Sequence, residues 1–201
     1  MAGGPVGAER GYHHGDLRNA LLAATTELVR ERGARGFSVS EAARRVGVSS
    51  SAPYRHFADR GAMLAAAAVR GFTELEERFA RLPAADALTD LAGQLATEYL
   101  SFARQDPARF EVMFAHGVDK TEHEDLLRQA TGVQERFEAA LSPYLAQADT
   151  TRRAAELWAL AHGVATLAVG GSVQHVLPDE HISELADSTA RAWARGVVGD
   201  R

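Results

Sequence analysis

Cysteine is absent from the 201 residues, and lysine occurs once, at Lys120. Without cysteine the chain can form neither a disulfide nor a thiolate metal site. No apolar run reaches the roughly 18–20 residues that a membrane span requires, and the first residues lack the charged start and apolar block of a signal peptide. The sequence therefore predicts a cytoplasmic protein with no membrane partner. The preference for arginine over lysine indicates a GC-rich bacterial genome rather than a chemical role.

Charge is divided unevenly along the chain. Residues 1–60 carry nine arginines against six acidic residues, a balance of +3, although the whole chain has a net charge of −5. The remainder carries 13 basic and 21 acidic residues, a balance of −8. Such asymmetry favours a nucleic-acid-binding segment at the N-terminal end, attached to an acidic body.

Apolar residues recur at three- and four-residue spacing along most of the chain, which is typical of amphipathic helices. We therefore expect an all-α protein of about nine helices. Ser38 with Glu41 and Thr121 with Glu124 match capping boxes, Asp16 is a candidate N-cap, and Gly33 and Gly47 are candidate stops. The predicted helices cover about 16–32, 39–46, a segment from 49 or 50, 60–81, 85–104, a short helix from 107, a helix opened by the Thr121 capping box and running to about 146, 150–171 and 179–197.

The stretch GVSSSAPYRHFADR, residues 47–60, has a proline where a short helix is expected. Proline lacks a backbone donor and is tolerated within the first helical turn, so this helix should begin at Ser49 or Ser50. Pro53 and Phe57 are four residues apart and share one apolar face, which we expect to be buried. A helix, a glycine-containing turn and this short helix together have the outline of a helix-turn-helix.

The opposite face of the same stretch is polar. It carries Ser51 and Arg55 with Ala52 beside them, and Tyr54 and His56 lie on its two flanks. Arginine can bind guanine through two hydrogen bonds, an alanine methyl can meet a thymine methyl, and flanking donors can bind phosphates. The alternative interpretation is a connector whose arginine and histidine are solvated. The positive balance of residues 1–60 favours DNA.

Residues 12–64 resemble the TetR (tetracycline-repressor-like) family of bacterial transcription regulators, from YHHGDLR through to the APYRHF of the short helix. A second stretch, WALAHGVATLAVGG from Trp158, resembles the Trp–His–Gly signature of one regulatory domain in that family. The resemblance implies a homodimer that binds a palindromic operator in double-stranded DNA and is released by a small-molecule effector. It divides the chain into a flexible arm (1–12), a helix-turn-helix DNA-binding domain (13–59) and a helical ligand-binding and dimerisation domain (60–201).

The resemblance also implies roles for individual residues. Ser38 and Ser49 match phosphate contacts, Tyr54 a phosphate-binding aromatic and His56 a contact to the groove wall. Arg60 stands where lysine is usual, and Gly61 departs from the family pattern, which favours a helix former. The predicted DNA-binding set is Ser38, Arg44, Ser49, Ser50, Ser51, Ala52, Tyr54, Arg55, His56 and Arg60.

The larger domain should hold an apolar pocket with one or two polar anchors, as small-molecule sites usually do. Tyr99 and His162 are the candidate anchors. For each candidate the alternative is an ordinary core position. The predicted ligand-binding set is Phe72, Tyr99, Phe102, Phe110, Met113, Phe114, Phe137, Trp158 and His162.

The last two predicted helices are the candidate dimer interface, because one carries many glycine and alanine residues and the other carries an apolar stripe. Two such pairs would form an isologous four-helix interface. The alternative is that the stripe packs within its own subunit. The predicted interface residues are Gly163, Gly170, Ile182, Leu185, Thr189 and Trp193.

Three other functions are alternatives to a DNA-binding regulator. No nucleophile–base pair, phosphate-binding loop or zinc-protease motif appears, so we predict neither an enzyme nor a cofactor. A metal-responsive regulator would use His116, His123, His162, His175 and His181, of which no two have the spacing that places them on one helix face. A helical binding module without DNA is the third. The arm with Arg10, His13 and His14 either contacts a minor groove or is disordered.

Overall fold

The computed structural model describes residues 14–115 and 118–199. Within these ranges the protein is all-helical, as predicted, with eight α-helices rather than nine and no strand. The predicted arm, with Arg10 and His13, lies outside the described residues, as does His116. The helices are α1 His14–Arg32, α2 Val39–Val46, α3 Arg60–Ala80, α4 Leu88–Gln105, α5 Pro107–Met113, α6 Glu124–Leu141, α7 Thr150–Val169 and α8 Ile182–Gly199.

The third of the nine predicted helices, the segment from Ser49 or Ser50, is instead a four-residue 3-10 turn, Ala52–Arg55. Pro53 has no N–H to donate, and the neighbouring amides bond three residues back, as in Tyr54 N to Ser51 O at 3.3 Å. The turn cannot lengthen forward, because Asp59 already caps α3 by accepting the N–H of Ala62 at 2.7 Å. The turn begins at Ala52 with Ser51 as its N-cap residue, so the predicted start at Ser49 or Ser50 was wrong. The prediction that the proline lies in the first turn was right.

The glycine stops were predicted better than the capping residues at helix starts. Gly33 follows α1 with φ 71°, and Gly47 ends α2 in the left-handed region with φ 79°, where glycine carries no steric penalty. The predicted N-caps fared less well, since α1 begins at His14, ahead of the predicted cap Asp16. Ser38 does precede α2 but makes no side-chain cap bond.

The second predicted capping box is also wrong. Helix α6 begins at Glu124 with His123 as its N-cap residue. Thr121 lies in a 3-10 turn and donates its hydroxyl to Asp119 at 2.7 Å. Because Asp119 also accepts the backbone N–H of Thr121 at 2.8 Å, this acidic residue stabilises a separate turn ahead of the helix.

The core of the body is centred on α4, which packs against α7 on one side and α8 on the other, while α3 packs against α5 and α6. A side chain at Gly93 would overlap the Asp187 carboxylate, so glycine allows α4 and α8 to approach closely. The inner row of α8 is mostly small. It consists of Ile182, Ala186, Ala190, Ala194 and Val197.

Helix α5 joins the N-terminal helices to the body. Asp106 caps it by accepting the N–H of Arg109 at 3.1 Å, and its carboxylate also pairs with the guanidinium groups of Arg30 of α1 at 2.9 Å and of Arg109 at 3.3 Å. Glu111, one helical turn further on, accepts the N–H of Ala34 at 2.6 Å, in the loop between α1 and α2. The helix that closes one side of the body is therefore bonded to the base of the N-terminal unit.

Asp106→Ala should lower the free energy of unfolding by about 0.5–2 kcal/mol, because the variant loses the N-cap of α5. The ion pair to Arg30 is partly exposed and should add little, as such pairs usually do. Urea unfolding measures the change. Asp106→Asn is the matched control, since asparagine also caps helices well. If Asn proves as destabilising as Ala, the ion pair and not the cap is the main contribution.

Candidate functional sites

Residues 49–56, which we call the recognition segment, are held on the surface by two apolar anchors. Pro53 is buried and Phe57 is 5% exposed, which confirms the predicted inward face. The guanidinium of Arg18 on α1 covers the Phe57 ring at 5.4 Å. The apolar side of the segment is therefore in contact with α1 through Phe57.

The other side of the recognition segment is open to solvent. Tyr54 is 56% exposed, and Arg55 is exposed and pairs with no carboxylate in the described part of the chain. The hydroxyls of Ser49 and Ser51 lie 3.1 Å apart. Hydroxyl, phenol and guanidinium donors thus share one exposed surface. Its remaining predicted members are Ser50, which is exposed, and Ala52 and His56, which are half-buried.

Two predicted contacts, one on α2 and one just before it, are already paired. Arg44 donates to both oxygens of Glu41, at 3.0 and 2.7 Å, and this guanidinium is the main reason why the pKa of Glu41 is lowered. The Ser38 hydroxyl lies 2.9 Å from that of Ser40. A phosphate would therefore compete with Glu41 for Arg44.

Arg60 is placed differently from the other predicted DNA contacts. Its Nε donates to the carbonyl of Phe37 at 3.1 Å, and its Nη2 donates to the carbonyl of Ala34. The guanidinium also lies 5.8 Å from the Phe37 ring. These bonds tie α3 to the loop between α1 and α2, so the structure gives Arg60 a positioning role and does not favour a phosphate contact.

An aromatic cavity of about 140 Å³ lies in the body between α3, α4, α6 and α7. Five of the nine predicted ligand-binding residues line it, and its walls otherwise come mostly from apolar residues. The five are Phe72, Tyr99, Phe114, Phe137 and Trp158.

The other four predicted residues lie elsewhere. Phe102 is core, 1% exposed, with Arg78 over its ring at 5.3 Å. Met113 is also core and fills the space beside Gly71, where a Cβ would overlap its side chain. These two assignments were therefore wrong. Phe110 and His162 instead line an open groove of about 670 Å³ between α1, α5 and α7.

The polar pair predicted to anchor a ligand exists, but its members bond each other. Tyr99 Oη lies 2.8 Å from His162 Nδ1, and the His162 ring stacks on Trp158 with centroids 5.0 Å apart. Burial raises the pKa of Tyr99, and burial together with the charge of Lys120 lowers the pKa of His162. A protonated Tyr99 and a neutral His162 therefore share this hydrogen bond.

Six residues outside the predicted ligand-binding set also line the cavity, among them Phe79, Gln134 and Lys120. The Nζ of Lys120 lies 4.9 Å from the centroid of the Phe72 ring and 5.2 Å from that of Phe114. Burial lowers the pKa of this amine. The only signal for Lys120 in the sequence is that it is the sole lysine.

The predicted dimer face divides between core and surface. Ile182 is wholly buried against its own chain, so it cannot contact a partner and that assignment was wrong. Leu185, Thr189 and Trp193 are half-buried, and Trp193 Nε1 donates to Glu156 of α7 at 3.1 Å. Small side chains dominate a half-exposed to exposed face of each helix: Ala155, Ala159, Gly163, Thr166 and Gly170 on α7, and Ser188, Ala192, Gly196 and Gly199 on α8.

The histidines of a hypothetical metal site do not converge. His162 belongs to the aromatic cluster, whereas His123 lies near Gly61 at the start of α3. Over residues 14–115 and 118–199, no three histidine or acidic side chains come together in a way that could hold a metal ion. In the same ranges, no helix is both long and apolar enough to cross a membrane.

Two family models match the chain. Residues 21–67 match the model described as bacterial regulatory proteins, tetR family. Residues 93–193 match a tetracyclin repressor-like C-terminal domain. That description names the family and not the Trp–His–Gly subgroup, so the subgroup stays a prediction. No curated protein matches the sequence significantly.

Solved structures share the fold over nearly their whole length. A protein of unknown function from Rhodococcus sp. RHA1 is 30% identical, with a TM-score of 0.75, over 94% of this chain and 99% of the other. A TetR-family transcriptional regulator from Streptomyces coelicolor is 25% identical, with a TM-score of 0.67, over 90% and 99%. The regulator FadR from Bacillus subtilis, in complex with stearoyl-CoA, is 14% identical, with a TM-score of 0.71, over 89% and 98%. At that identity it shows the fold and not the ligand.

Proposed function

Because the chain belongs to the TetR family of bacterial transcriptional regulators, we propose that it is a homodimeric repressor of a palindromic operator. A small molecule that enters the aromatic cavity releases it from DNA. Its place of action is the cytoplasm, where the bacterial chromosome lies. The observation that carries the proposal is the recognition segment, whose apolar anchors are buried while its donors are exposed.

The recognition segment suits a major groove because its two sides have opposite chemistry. Phe57 and Pro53 are buried while Arg55 and Tyr54 are exposed, so the two polar side chains project from a fixed base. Arginine distinguishes guanine from the other bases through two hydrogen bonds, whereas a phenol can bind a phosphate beside any base pair. Sequence preference should therefore depend on Arg55, and general affinity on Tyr54.

Arg55→Ala should cost about 1–3 kcal/mol at the best operator and little elsewhere, because it removes a base contact. Tyr54→Ala should weaken binding to all sequences alike. Fluorescence anisotropy measures both variants on the best site selected from the DNA upstream of the protein's own gene, and on scrambled DNA, at several salt concentrations.

The matched control is Arg81→Ala, which removes an exposed arginine at the end of α3 opposite to the recognition segment. It should leave both affinities unchanged. If Arg55→Ala and Tyr54→Ala weaken specific and scrambled DNA to the same extent, the assignment of the two residues is wrong. If the unaltered protein shows no salt-dependent DNA binding, the proposed function itself fails.

Release by a ligand is supported by two helices, α3 and α5, that connect the cavity to the DNA-binding part of the chain. Helix α3 starts directly after the recognition segment and carries Phe72 into the cavity. Helix α5 carries Phe110 in the aromatic cluster and Glu111 on the loop after α1. A dimer reads half-sites about 34–36 Å apart, so a shift of a few ångströms prevents both recognition segments from docking. Operator affinity with and without bound ligand tests this step.

Dimerisation is supported by the small faces of α7 and α8. An added Cβ at Gly163 or Gly196 meets no atom of the same chain within 4 Å, so both positions face open space. Nearby apolar side chains are exposed as well, among them Leu167 of α7 and Val198 of α8. We propose that a second copy covers these two helices across a two-fold axis, as in an isologous four-helix interface.

A further inference from the structure

The aromatic cavity contains one charged group and nothing of opposite charge. The described residues that line it include Lys120 but no aspartate or glutamate. The amine of Lys120 instead faces the Phe72 and Phe114 rings, at 4.9 and 5.2 Å from their centroids. Aromatic faces attract cations, although more weakly than a carboxylate does when water is excluded.

This arrangement discriminates between ligands by charge. Half-burial takes part of the hydration from the Lys120 ammonium and lowers its pKa, and none of the described residues that line the cavity is a carboxylate that could compensate. An organic anion would supply the missing charge in a place where solvent screening is weak. A ligand cation would be repelled by Lys120, and a neutral analogue would leave the ammonium unpaired.

The size of the cavity restricts the apolar part of the ligand. Its volume is about 140 Å³, and an apolar cavity of about 150 Å³ holds one benzene molecule. Two rings of its wall, Phe72 and Phe114, pack edge to face at 5.8 Å and 70°. Aromatic rings favour such offset and edge-on contacts with another ring.

We propose that the effector is an aromatic monocarboxylate with a single ring, of about the size of benzoate, whose carboxylate pairs with Lys120. This inference rests on the proposed function of the cavity as the effector site. The ring lies between Phe72, Phe137 and Trp158. The Tyr99–His162 pair is already satisfied by its internal bond, so Lys120 provides the charge recognition.

The single lysine allows a direct test. Reductive methylation with ¹³C-formaldehyde labels the amine of Lys120 and the N-terminal amine, and methylation keeps the charge. Benzoate, neutral benzamide and cationic benzylamine are titrated into the labelled protein and followed by NMR. Benzoate should shift the Lys120 signal saturably, and the other two compounds should bind at least tenfold more weakly. Equal binding of benzamide, or no saturable shift with benzoate, overturns the proposal.

Variants separate charge from packing. Lys120→Met keeps the length of the side chain without its charge and should weaken benzoate binding at least tenfold in calorimetry, while Lys120→Arg should retain most of it. Arg128→Met, which removes an exposed cation of α6, is the matched control and should change nothing. Unchanged benzoate binding by Lys120→Met contradicts the inference. Should that variant fail to fold, the labelled wild-type protein and Lys120→Arg still decide.

Failure of the inference can be told apart from failure of the proposed function. Operator binding without any ligand is measured on the same preparations. A protein that binds operator but not benzoate retains its function and refutes the proposed effector class. A protein that binds benzoate through Lys120 but binds no DNA refutes the regulator and leaves the anion site intact.

Discussion

Gly163→Arg is expected to yield folded monomers that bind the operator roughly a hundredfold or more weakly, because the avidity of two linked recognition segments is lost. Gly163 is half-exposed on α7, and a Cβ there meets nothing within 4 Å of its own chain. The substitution should therefore leave the subunit intact. Arginine is also a better helix former than glycine.

Symmetry makes the substitution disruptive to a dimer. In an isologous interface each change occurs twice, so two arginines are introduced into a contact between slim helices. Desolvating unpaired cations there is costly. A monomer can still place one recognition segment on one half-site, so residual binding to scrambled DNA should change much less than binding to the operator.

Gly132→Arg is the matched control, because Gly132 is a half-exposed glycine of α6 and its Cβ position is equally empty. Sedimentation velocity measures the oligomeric state of both variants, and fluorescence anisotropy measures their operator affinity. The control should stay dimeric and bind normally. An intact dimer in Gly163→Arg would place the interface away from α7, and monomers that keep full operator affinity would refute cooperation between two half-sites.

The sequence predicted the helices well, because helical periodicity depends on burial along one face and is visible locally. The recognition segment shows the limit of that approach. Its inward pair, Pro53 and Phe57, followed from spacing, but the extent of the turn depended on Asp59, which starts α3 and leaves no room for a longer helix. Competition between neighbouring caps decides such boundaries. The capping box predicted at Thr121 is absent for the same reason, because the Thr121 hydroxyl donates to Asp119 instead.

The cavity was predicted only in part, since an apolar side chain facing inward can line a cavity or fill the core. Phe102 and Phe72 are indistinguishable by periodicity, yet Phe102 packs beneath Arg78 and Phe72 borders the open space. That difference depends on which helices lie opposite. Lys120 lies in a 3-10 turn with no periodic pattern, so only its rarity distinguished it, and that rarity has an explanation in genome composition.

The dimer prediction failed at Ile182 for a related reason. Large apolar residues spaced along α8 suggested one outward stripe, but α8 buries a row made mostly of alanine against α4. Small residues lie on both sides of this helix: on the buried side they contact α4 closely, and on the opposite side they are exposed. Residue size alone therefore does not show which side of α8 is covered.

Phe57→Ala should destabilise the N-terminal unit by about 3–5 kcal/mol, the usual cost of removing a buried phenylalanine. Phe57 is 5% exposed, and its ring is also the surface on which the Arg18 guanidinium lies, at 5.4 Å. Without this anchor the recognition segment retains only Pro53 as a buried contact. Because the loss concerns the base of the segment, specific and scrambled DNA should both be bound poorly.

Phe57→Leu is the matched control, since it keeps much of the apolar area and should cost only about 1–2 kcal/mol. Urea unfolding followed by circular dichroism measures the stability of both variants, and fluorescence anisotropy measures their binding. The result separates two roles of one short turn. Arg55→Ala should alter which sequence is preferred while the fold is unchanged, whereas Phe57→Ala should remove binding to any sequence by loosening the fold. A Phe57→Ala protein of nearly normal stability would mean that the recognition segment is held by contacts other than its apolar side.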